Sequence, residues 1–251
     1  MLNKIFKKLF SYRIENYRII VKILGIQLKF RNTLVMNSKI ILADENGKER
    51  KLRFFERIKG LKVHFCGRNC VVKIHRPINQ FINTYIDIGS DNVYMEIGKN
   101  AYIKDLYVRA RFGGNQKLVL GNNVTAYGGD IYLDEDSNCY LGSNCLIAAG
   151  FQIWGSDSHS IFDKDTKVLL NRVKKPVIID DNCWFGKNCT VLKHSHISSH
   201  TVIGSHSLVS GTFNESNVII AGIPAKIIKR NIDWDAITPI FYEPNIQKEE
   251  E

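Results

Sequence analysis

The feature that most constrains this chain is an aliphatic or aromatic residue that recurs at steps of six over its second half. The clearest members are Ile179, Phe185, Val191, Ile197, Ile203 and Val209. A slim side chain follows four residues after several of them, at Cys183, Cys189, Thr201 and Ser207. A period of six fits neither an amphipathic helix nor a simple alternating strand. Three such units close a triangular coil of 18 residues, so the repeat predicts an all-β solenoid, a parallel β-helix of hexapeptide repeats.

Parts of the chain lack this repeat, and they divide it into three regions. Residues 1–60 are predicted to form a basic amphipathic helix and then a β-hairpin, with strands at Lys39–Ala43 and Arg50–Phe54. Residues 61–230 are the β-helix, and residues 231–251 are a short C-terminal extension that packs back on the last coil. The repeat stops once inside the β-helix, at a loop insertion over 154–176. Loops of this length inside a compact repeat are usually functional or disordered.

Charge and cysteine content narrow the class of protein. The net charge is +10, but residues 1–76 have 19 Lys and Arg against 5 Asp and Glu, whereas residues 77–251 have 16 against 20. A surplus confined to one end argues against a nucleic-acid partner. The basic residues 1–31 would either contact an anionic membrane or pack on the protein, and both interpretations stay open. The sequence shows no membrane-spanning apolar stretch, no export signal and no paired cysteine motif, which favours a cytoplasmic protein with reduced thiols.

One stretch of the repeat carries a family resemblance. The segment WFGKNCTVLKHSHISSHTVIGSHSLVSG, followed by NVIIAGIPAKIIKR, resembles the hexapeptide-repeat acetyltransferases. It is similar above all to the maltose, galactoside and nodulation-factor enzymes and to those that O-acetylate capsule and lipopolysaccharide sugars. The match runs without a gap over 177–230 and more loosely over 86–176. The resemblance implies a left-handed β-helix, a homotrimer, acetyl-CoA as donor and a saccharide acceptor.

The resemblance also implies site residues. His159 lies in the insertion, 25 residues before Trp184, where the family has its catalytic base, and Asp157 would orient its ring. A sugar hydroxyl becomes a nucleophile when a base accepts its proton, and imidazole titrates close enough to neutral pH to do so. Trp184 and Gly186 are expected to position substrate or donor. The expected coenzyme A contacts are Ser205, Pro224, Ala225, Lys226, Lys229 and Arg230, the cations facing phosphate groups.

Two other constellations have plain structural interpretations. His194, His200 and His206 are spaced by six, so they should lie at three different corners of the coil and diverge, which argues against a metal site. His194 is accordingly expected to point outward and to be dispensable. Cys139, Cys145, Cys183 and Cys189 fall in or beside the slim positions and should act as small buried hydrophobes, so no acyl-enzyme is expected.

The predicted activity is direct O-acetyl transfer to a bacterial surface saccharide or its precursor. N-acetylation of an amino sugar, and a non-catalytic β-helical scaffold or membrane-docked module, remain as alternatives.

Overall fold

The computed structural model describes residues 10–15, 18–23, 26–31, 37–53 and 55–242. The first three strands are β1 (Phe10–Glu15), β2 (Arg18–Ile23) and β3 (Ile26–Arg31). In chain order the others are β4 (Lys39–Ala43), β5 (Glu49–Lys51), β6 (Leu61–Phe65), β7 (Val71–His75), β8 (Gln80–Ile82), β9 (Thr84–Ile88), β10 (Tyr94–Ile97), β11 (Tyr102–Lys104), β12 (Leu106–Arg111), β13 (Lys117–Leu120), β14 (Thr125–Ala126), β15 (Gly129–Asp134), β16 (Asn138–Leu141), β17 (Leu146–Ile147), β18 (Phe151–Trp154), β19 (Val177–Ile179), β20 (Trp184–Phe185), β21 (Thr190–Leu192), β22 (His196–Ile197), β23 (Val202–Ile203), β24 (Leu208–Val209), β25 (Thr212–Phe213), β26 (Val218–Gly222) and β27 (Ala225–Arg230).

Strands β4 to β27 build three sheets that are the faces of a triangular prism. Face 1 has the order β25-β22-β19-β16-β13-β10-β7-β4-β5, face 2 the order β27-β26-β23-β20-β17-β14-β11-β8, and face 3 the order β24-β21-β18-β15-β12-β9-β6. Neighbouring strands are parallel except where β5 and β27 close the ends of their sheets. The chain passes from face 1 to face 2 to face 3 in each coil. We name the corners by the faces that they join.

The interior of the prism is filled by the repeating residues. Every aliphatic or aromatic residue of the run from Ile179 to Val209 is at most 1% exposed, and the slim residues Cys183, Cys189, Thr201 and Ser207 are at most 2% exposed. Strands 18 residues apart pair directly, as Trp184 with Val202 and Thr190 with Leu208. Both the predicted period and the predicted inward register are therefore confirmed. Earlier coils are larger, since Tyr94 pairs with Lys117, which explains their looser sequence spacing.

The corners of the prism are turned by residues in the left-handed backbone region. Asparagine tolerates this region better than most residues, and stacked corner asparagines also bond to each other. Asn123 receives a hydrogen bond from Asn100 at 2.9 Å and donates one to Asn144 at 2.7 Å. Histidine takes the same place in the last coils: His194, His200 and His206 have φ of 65°, 56° and 60°. They lie at corners 3–1, 1–2 and 2–3, so the prediction that they occupy different corners is confirmed.

The predicted N-terminal helix is wrong. Within residues 1–31, the described residues form the antiparallel sheet β1-β2-β3, and the remainder of this range lies outside the described residues. The physical reason is a period of two: β3 alternates Ile26, Leu28 and Phe30 with polar residues, and β-branched side chains favour extended backbone. The described residues of this range therefore do not support membrane contact through an amphipathic helix. No helix in the described part of the chain is long and apolar enough to cross a membrane.

The predicted hairpin and C-terminal extension flank the prism. β4 and β5 pair antiparallel, and β4 also pairs with β7, so the hairpin begins face 1. The second strand is shorter than predicted because the chain turns at Arg53, whose N–H donates to the Glu56 carboxylate at 2.9 Å. At the other end, the Ile232 N–H donates to the Asn217 carbonyl at 3.0 Å, which brings the extension back along the prism.

Candidate active site

The insertion leaves the prism after β18 and returns at β19, so it replaces one turn at corner 3–1. It forms an arm that doubles back on itself, with a bridge between Phe162 and Leu169. The tip is a turn in which the Asp163 carboxylate accepts bonds from the N–H and hydroxyl of Thr166, at 2.7 and 2.8 Å. His159 lies on the outgoing segment of this arm and is exposed. The arm therefore presents His159 outside the stacked coils.

Asn171, on the returning segment of the arm, holds the backbone around His159. Its Nδ2 donates to the His159 carbonyl at 2.8 Å, and its Oδ1 accepts from the Ile161 N–H at 2.8 Å. The same Nδ2 group donates to Oδ2 of Asp157 at 2.8 Å. One amide side chain thus contacts three positions of the outgoing segment.

Asp157 is anchored to the next coil. Its carboxylate accepts a short hydrogen bond from Nζ of Lys193, which also donates to the Asn171 carbonyl at 2.7 Å. Burial opposes ionisation of Asp157, but the bonds from Lys193 and Asn171 outweigh it and hold the pKa of the carboxyl below its usual range. The carboxylate contacts the Asn171 amide and the Lys193 ammonium, so its link to His159 runs through Asn171 rather than through the imidazole.

A buried carboxylate lies under the start of the arm. The hydroxyl of Ser158 donates to Oδ2 of Asp134 at 3.2 Å. Asp134 is fully buried and is paired with the Arg109 guanidinium at 2.5 Å. A buried carboxylate needs such partners, because an unpaired buried charge is costly. The residue next to His159 is therefore attached to the prism interior as well.

His194 is not the free, outward-pointing histidine that the spacing predicts. The Lys174 N–H donates to its Nε2 at 2.8 Å, so His194 anchors the returning end of the arm. Burial lowers the pKa of His194, and Lys193, Lys174 and Lys175 lower it further, against the opposing charge of Asp157. Sequence spacing placed it correctly at a corner, but it could not show that the insertion folds onto that corner.

The donor residues expected from the resemblance lie at corner 2–3 and on face 2. A Cβ added to Gly186 would lie 2.6 Å from the Ser205 nitrogen and 2.8 Å from its Oγ. Glycine therefore lets the two coils approach at this corner. Ser205 is exposed, and its hydroxyl accepts from the Lys187 N–H at 3.2 Å. The two residues are direct neighbours on successive coils.

Residues 222–226, which we call the GIPAK turn, join β26 to β27 beside the same corner. Ala225 is 8% exposed, whereas Pro224, Lys226 and Lys229 are exposed. Arg230 is already engaged, because its Nε and Nη2 donate to the Glu215 carboxylate at 2.7 and 3.1 Å. Of the three expected cations, Lys226 and Lys229 are thus the more available to a phosphate, judged by the ion pairs of the described residues.

Trp184 lies on the outer side of face 2, where it is 39% exposed. Its ring centroid is 6.0 Å from that of Trp234 in the C-terminal extension. The Trp234 Nε1–H donates to the Asn182 carbonyl at 2.7 Å, which fixes this contact. The extension therefore covers part of the surface next to Trp184.

The structure brings the expected site residues together in two groups. His159 and Asp157 lie at corner 3–1, whereas Gly186, Ser205 and the GIPAK turn lie at corner 2–3. Face 3 separates the two corners within one chain. Within one chain, the two halves of the expected site therefore lie at opposite edges of face 3.

Two residues in this region were missed at the level of sequence, Asn171 and Lys193. The signal that could have found Lys193 is register: it follows β21, at the corner where the insertion leaves one coil earlier. No comparable signal marks Asn171, because the arm has no repeat from which its contacts follow.

The four cysteines of the repeat fill the interior as predicted, whereas Cys66, in an earlier coil, is exposed. Cys139, Cys145, Cys183 and Cys189 are at most 1% exposed. Burial raises the pKa of the Cys139 thiol to about 12 and also raises that of Cys189. Neither thiol is a nucleophilic thiolate at neutral pH.

Known proteins resemble this chain in sequence. No protein-family model matches it. A polysialic acid O-acetyltransferase of Escherichia coli O1:K1 is 32% identical over 141 residues, which are 56% of this chain and 44% of that enzyme. The chain thus spans less than half of that relative. A polysialic acid O-acetyltransferase of Neisseria meningitidis is 29% identical over 68% of this chain and 74% of its own length. A protein of Dictyostelium discoideum named as an acetyltransferase is 33% identical over 62% of this chain and 78% of its length.

Solved structures agree with the sequence relatives. The polysialic-acid-specific acetyltransferase NeuO superposes with a TM-score of 0.67 at 28% identity, over 85% of this chain and 94% of that one. The polysialic acid O-acetyltransferase OatWY gives a TM-score of 0.52 at 26% identity, over 84% and 92%. These likenesses confirm the predicted left-handed parallel β-helix. On its repeat, its fold and its relatives, the chain belongs to the hexapeptide-repeat acetyltransferase family.

Proposed function

We propose that this protein transfers the acetyl group of acetyl-CoA to a hydroxyl of a bacterial surface saccharide or its precursor, with His159 as general base. The observation that carries the proposal is the exposed histidine, held on an arm that Asn171, Lys193 and His194 fasten to the coils. Transfer to oxygen is favoured over transfer to an amine because the relatives are named O-acetyltransferases. A pure scaffold would need neither the arm nor the GIPAK turn.

The proposed reaction is a direct transfer. The imidazole of His159 accepts the hydroxyl proton while the sugar oxygen attacks the thioester carbonyl. The resulting oxyanion requires a backbone N–H donor at its position. When the intermediate collapses, the C–S bond breaks, and the leaving thiolate takes the proton from the imidazolium. The products are an acetyl ester and free coenzyme A. The raised pKa values of the Cys139 and Cys189 thiols argue against either of them as the nucleophile of an acyl-enzyme.

The donor is expected at corner 2–3. Ser205 would contact the pantetheine arm through its backbone, and Pro224 and Ala225 shape the turn at the nucleotide end. Lys226 and Lys229 would face phosphate groups, with Arg230 a less available third cation because of Glu215. Trp184 and Gly186 would position the donor or the acceptor beside this groove.

The position of the two half-sites supports a homotrimer as part of this proposal. One chain holds His159 and the donor corner on opposite edges of face 3, so a complete site forms most simply when corner 3–1 of one subunit meets corner 2–3 of its neighbour. Buried free thiols are compatible with a reaction in the cytoplasm. Peripheral contact of residues 1–31 with an anionic membrane now depends on their basic charge alone.

The test is acetyl-CoA turnover, measured as free thiol release, against a panel of surface saccharides and their precursors. Loss of a general base typically costs about 10²–10⁴-fold, so His159→Ala should lower kcat by that order and leave the KM for acetyl-CoA unchanged. The matched control is His196→Gln, a histidine of face 1 whose contact is with Asp180 at 3.1 Å. Full activity of His159→Ala would show that the base lies elsewhere. Thiol release that no saccharide stimulates would argue against the acceptor class.

A further inference from the structure

The arm that carries His159 poses a positioning problem. It consists of 22 residues between Trp154 and Val177, and none of them belongs to a strand of the three faces. Ordering a free loop costs conformational entropy for every residue fixed. A general base, however, must be held within a fraction of an ångström of its reacting geometry, since a displacement of about 1 Å can cost about 100-fold in rate. Specific contacts must therefore supply the order that the coil stack does not.

The amide of Asn171 supplies contacts on both sides of His159. It binds the carbonyl of His159 itself, the N–H of Ile161 two residues later, and the carboxylate of Asp157 two residues earlier, each at 2.8 Å. Only an amide combines an acceptor with two N–H donors on so short a side chain. Aspartate at this position would lose both donors and would place a second carboxylate against Asp157. The chemistry of the site thus demands asparagine.

Lys193 connects this bonded segment to the prism. Its ammonium donates to the Asp157 carboxylate on the outgoing segment and to the Asn171 carbonyl on the returning segment. Its side chain is only 17% exposed, so it reaches the arm from beneath rather than from solvent. A partly buried, charge-assisted pair is stronger than an exposed one. Both segments of the arm are therefore fixed relative to the corner that directly follows β21.

We propose that Asn171, held in place by Lys193, is the positioning residue that sets the orientation of the His159 backbone and so of the catalytic imidazole. The proposal rests on the proposed function, because it requires His159 to be the base. Asn171 touches no reacting atom in it. Its effect on the rate passes through the backbone at residues 159 and 161.

The experiment is a double-mutant cycle combined with amide exchange. Asn171→Ala and Asn171→Asp should each lower kcat about 10- to 100-fold, with the KM for acetyl-CoA unchanged. The Ile161 amide should exchange faster in Asn171→Ala, which removes its acceptor, whereas Asn171→Asp keeps an acceptor oxygen at this position and loses only the two N–H donors. On the His159→Ala background, Asn171→Ala should cause almost no further loss, since residues that act through one another are not additive. Lys193→Met should behave in the same way, which covers the case that an Asn171 variant fails to fold.

Thr166→Val is the matched control. Thr166 is a hydrogen-bonded residue of the same arm, but its hydroxyl contacts Asp163 at the tip and not the His159 segment. Its kcat should equal that of the wild type. Wild-type kcat in Asn171→Ala, despite faster exchange at Ile161, would overturn the positioning role and leave the proposed function standing. Additive losses from Asn171→Ala and His159→Ala would also overturn it. Wild-type kcat in His159→Ala would instead refute the base assignment, and the positioning role with it.

Discussion

The backbone N–H of Lys174 donates to Nε2 of His194 at 2.8 Å, so the returning end of the insertion depends on a neutral imidazole in the following coil. A ring nitrogen accepts a hydrogen bond only while it is unprotonated. Protonation of His194 would place a second N–H against the Lys174 N–H and break this attachment.

This relationship predicts a pH-dependent attachment of the arm. Burial, with Lys193, Lys174 and Lys175, lowers the pKa of His194 in the folded protein. A depressed folded-state pKa contributes stability above the unfolded value of about 6.5, and that stability is lost as the pH falls through the folded value. Amide exchange of residues 172–175, corrected for intrinsic rates, should therefore accelerate below about pH 6.5. In His194→Gln this pH dependence should vanish. A change that persists in His194→Gln would assign the effect to another group.

The packing at corner 2–3 predicts that Gly186 cannot be enlarged. In Gly186→Ala the new Cβ would lie 2.6 Å from the Ser205 nitrogen and 2.9 Å from the Ile203 carbonyl oxygen. Overpacking of this kind costs about 1–3 kcal/mol, so the free energy of unfolding in urea should fall by that amount. Gly47→Asn is the control, since that position has open space around it and a φ of 79° that asparagine tolerates. Equal stability of the two variants would mean that the coils at Gly186 move apart easily.

The cations at the end of the GIPAK turn and in β27 are predicted to contribute unequally to the binding of acetyl-CoA. Lys226→Gln combined with Lys229→Gln should raise the KM for acetyl-CoA about tenfold or more, as expected for lost charge-assisted bonds to phosphate. Acetyl-3′-dephospho-CoA should show a smaller effect if one of the two lysines faces the 3′-phosphate. Arg230→Gln should change KM less, because Arg230 is bound to Glu215. A larger effect from Arg230 would reverse this assignment.

The separated half-sites predict an obligate assembly. Light scattering should give a mass of about three times 28.7 kDa at concentrations where the protein is active. Dilution below the dissociation range should reduce thiol release per chain, because each site needs two chains. A monomer with full specific activity would contradict the shared site.

The hexapeptide period accounts for the prism and for most of its interior. A period of six with equivalence at 18 leaves one geometry, because only a three-sided coil returns every third unit to the same face. The buried residues Ile203 and Val209, and the slim Cys183, follow from that register alone. The position of His159 came from family resemblance and not from the repeat.

The regions without the repeat depend on tertiary contacts, because no register specifies them. Residues 10–31 were misread because basic residues at several spacings suggested a helix, whereas the alternation in β3 and pairing with β2 decide for a sheet. The contacts of Lys193 and His194 with the insertion join residues 20 or more positions apart, through irregular backbone. A local pattern specifies which side of a strand faces the core, but it does not specify how a loop folds back. The attachment of the catalytic arm is therefore a property of the folded chain.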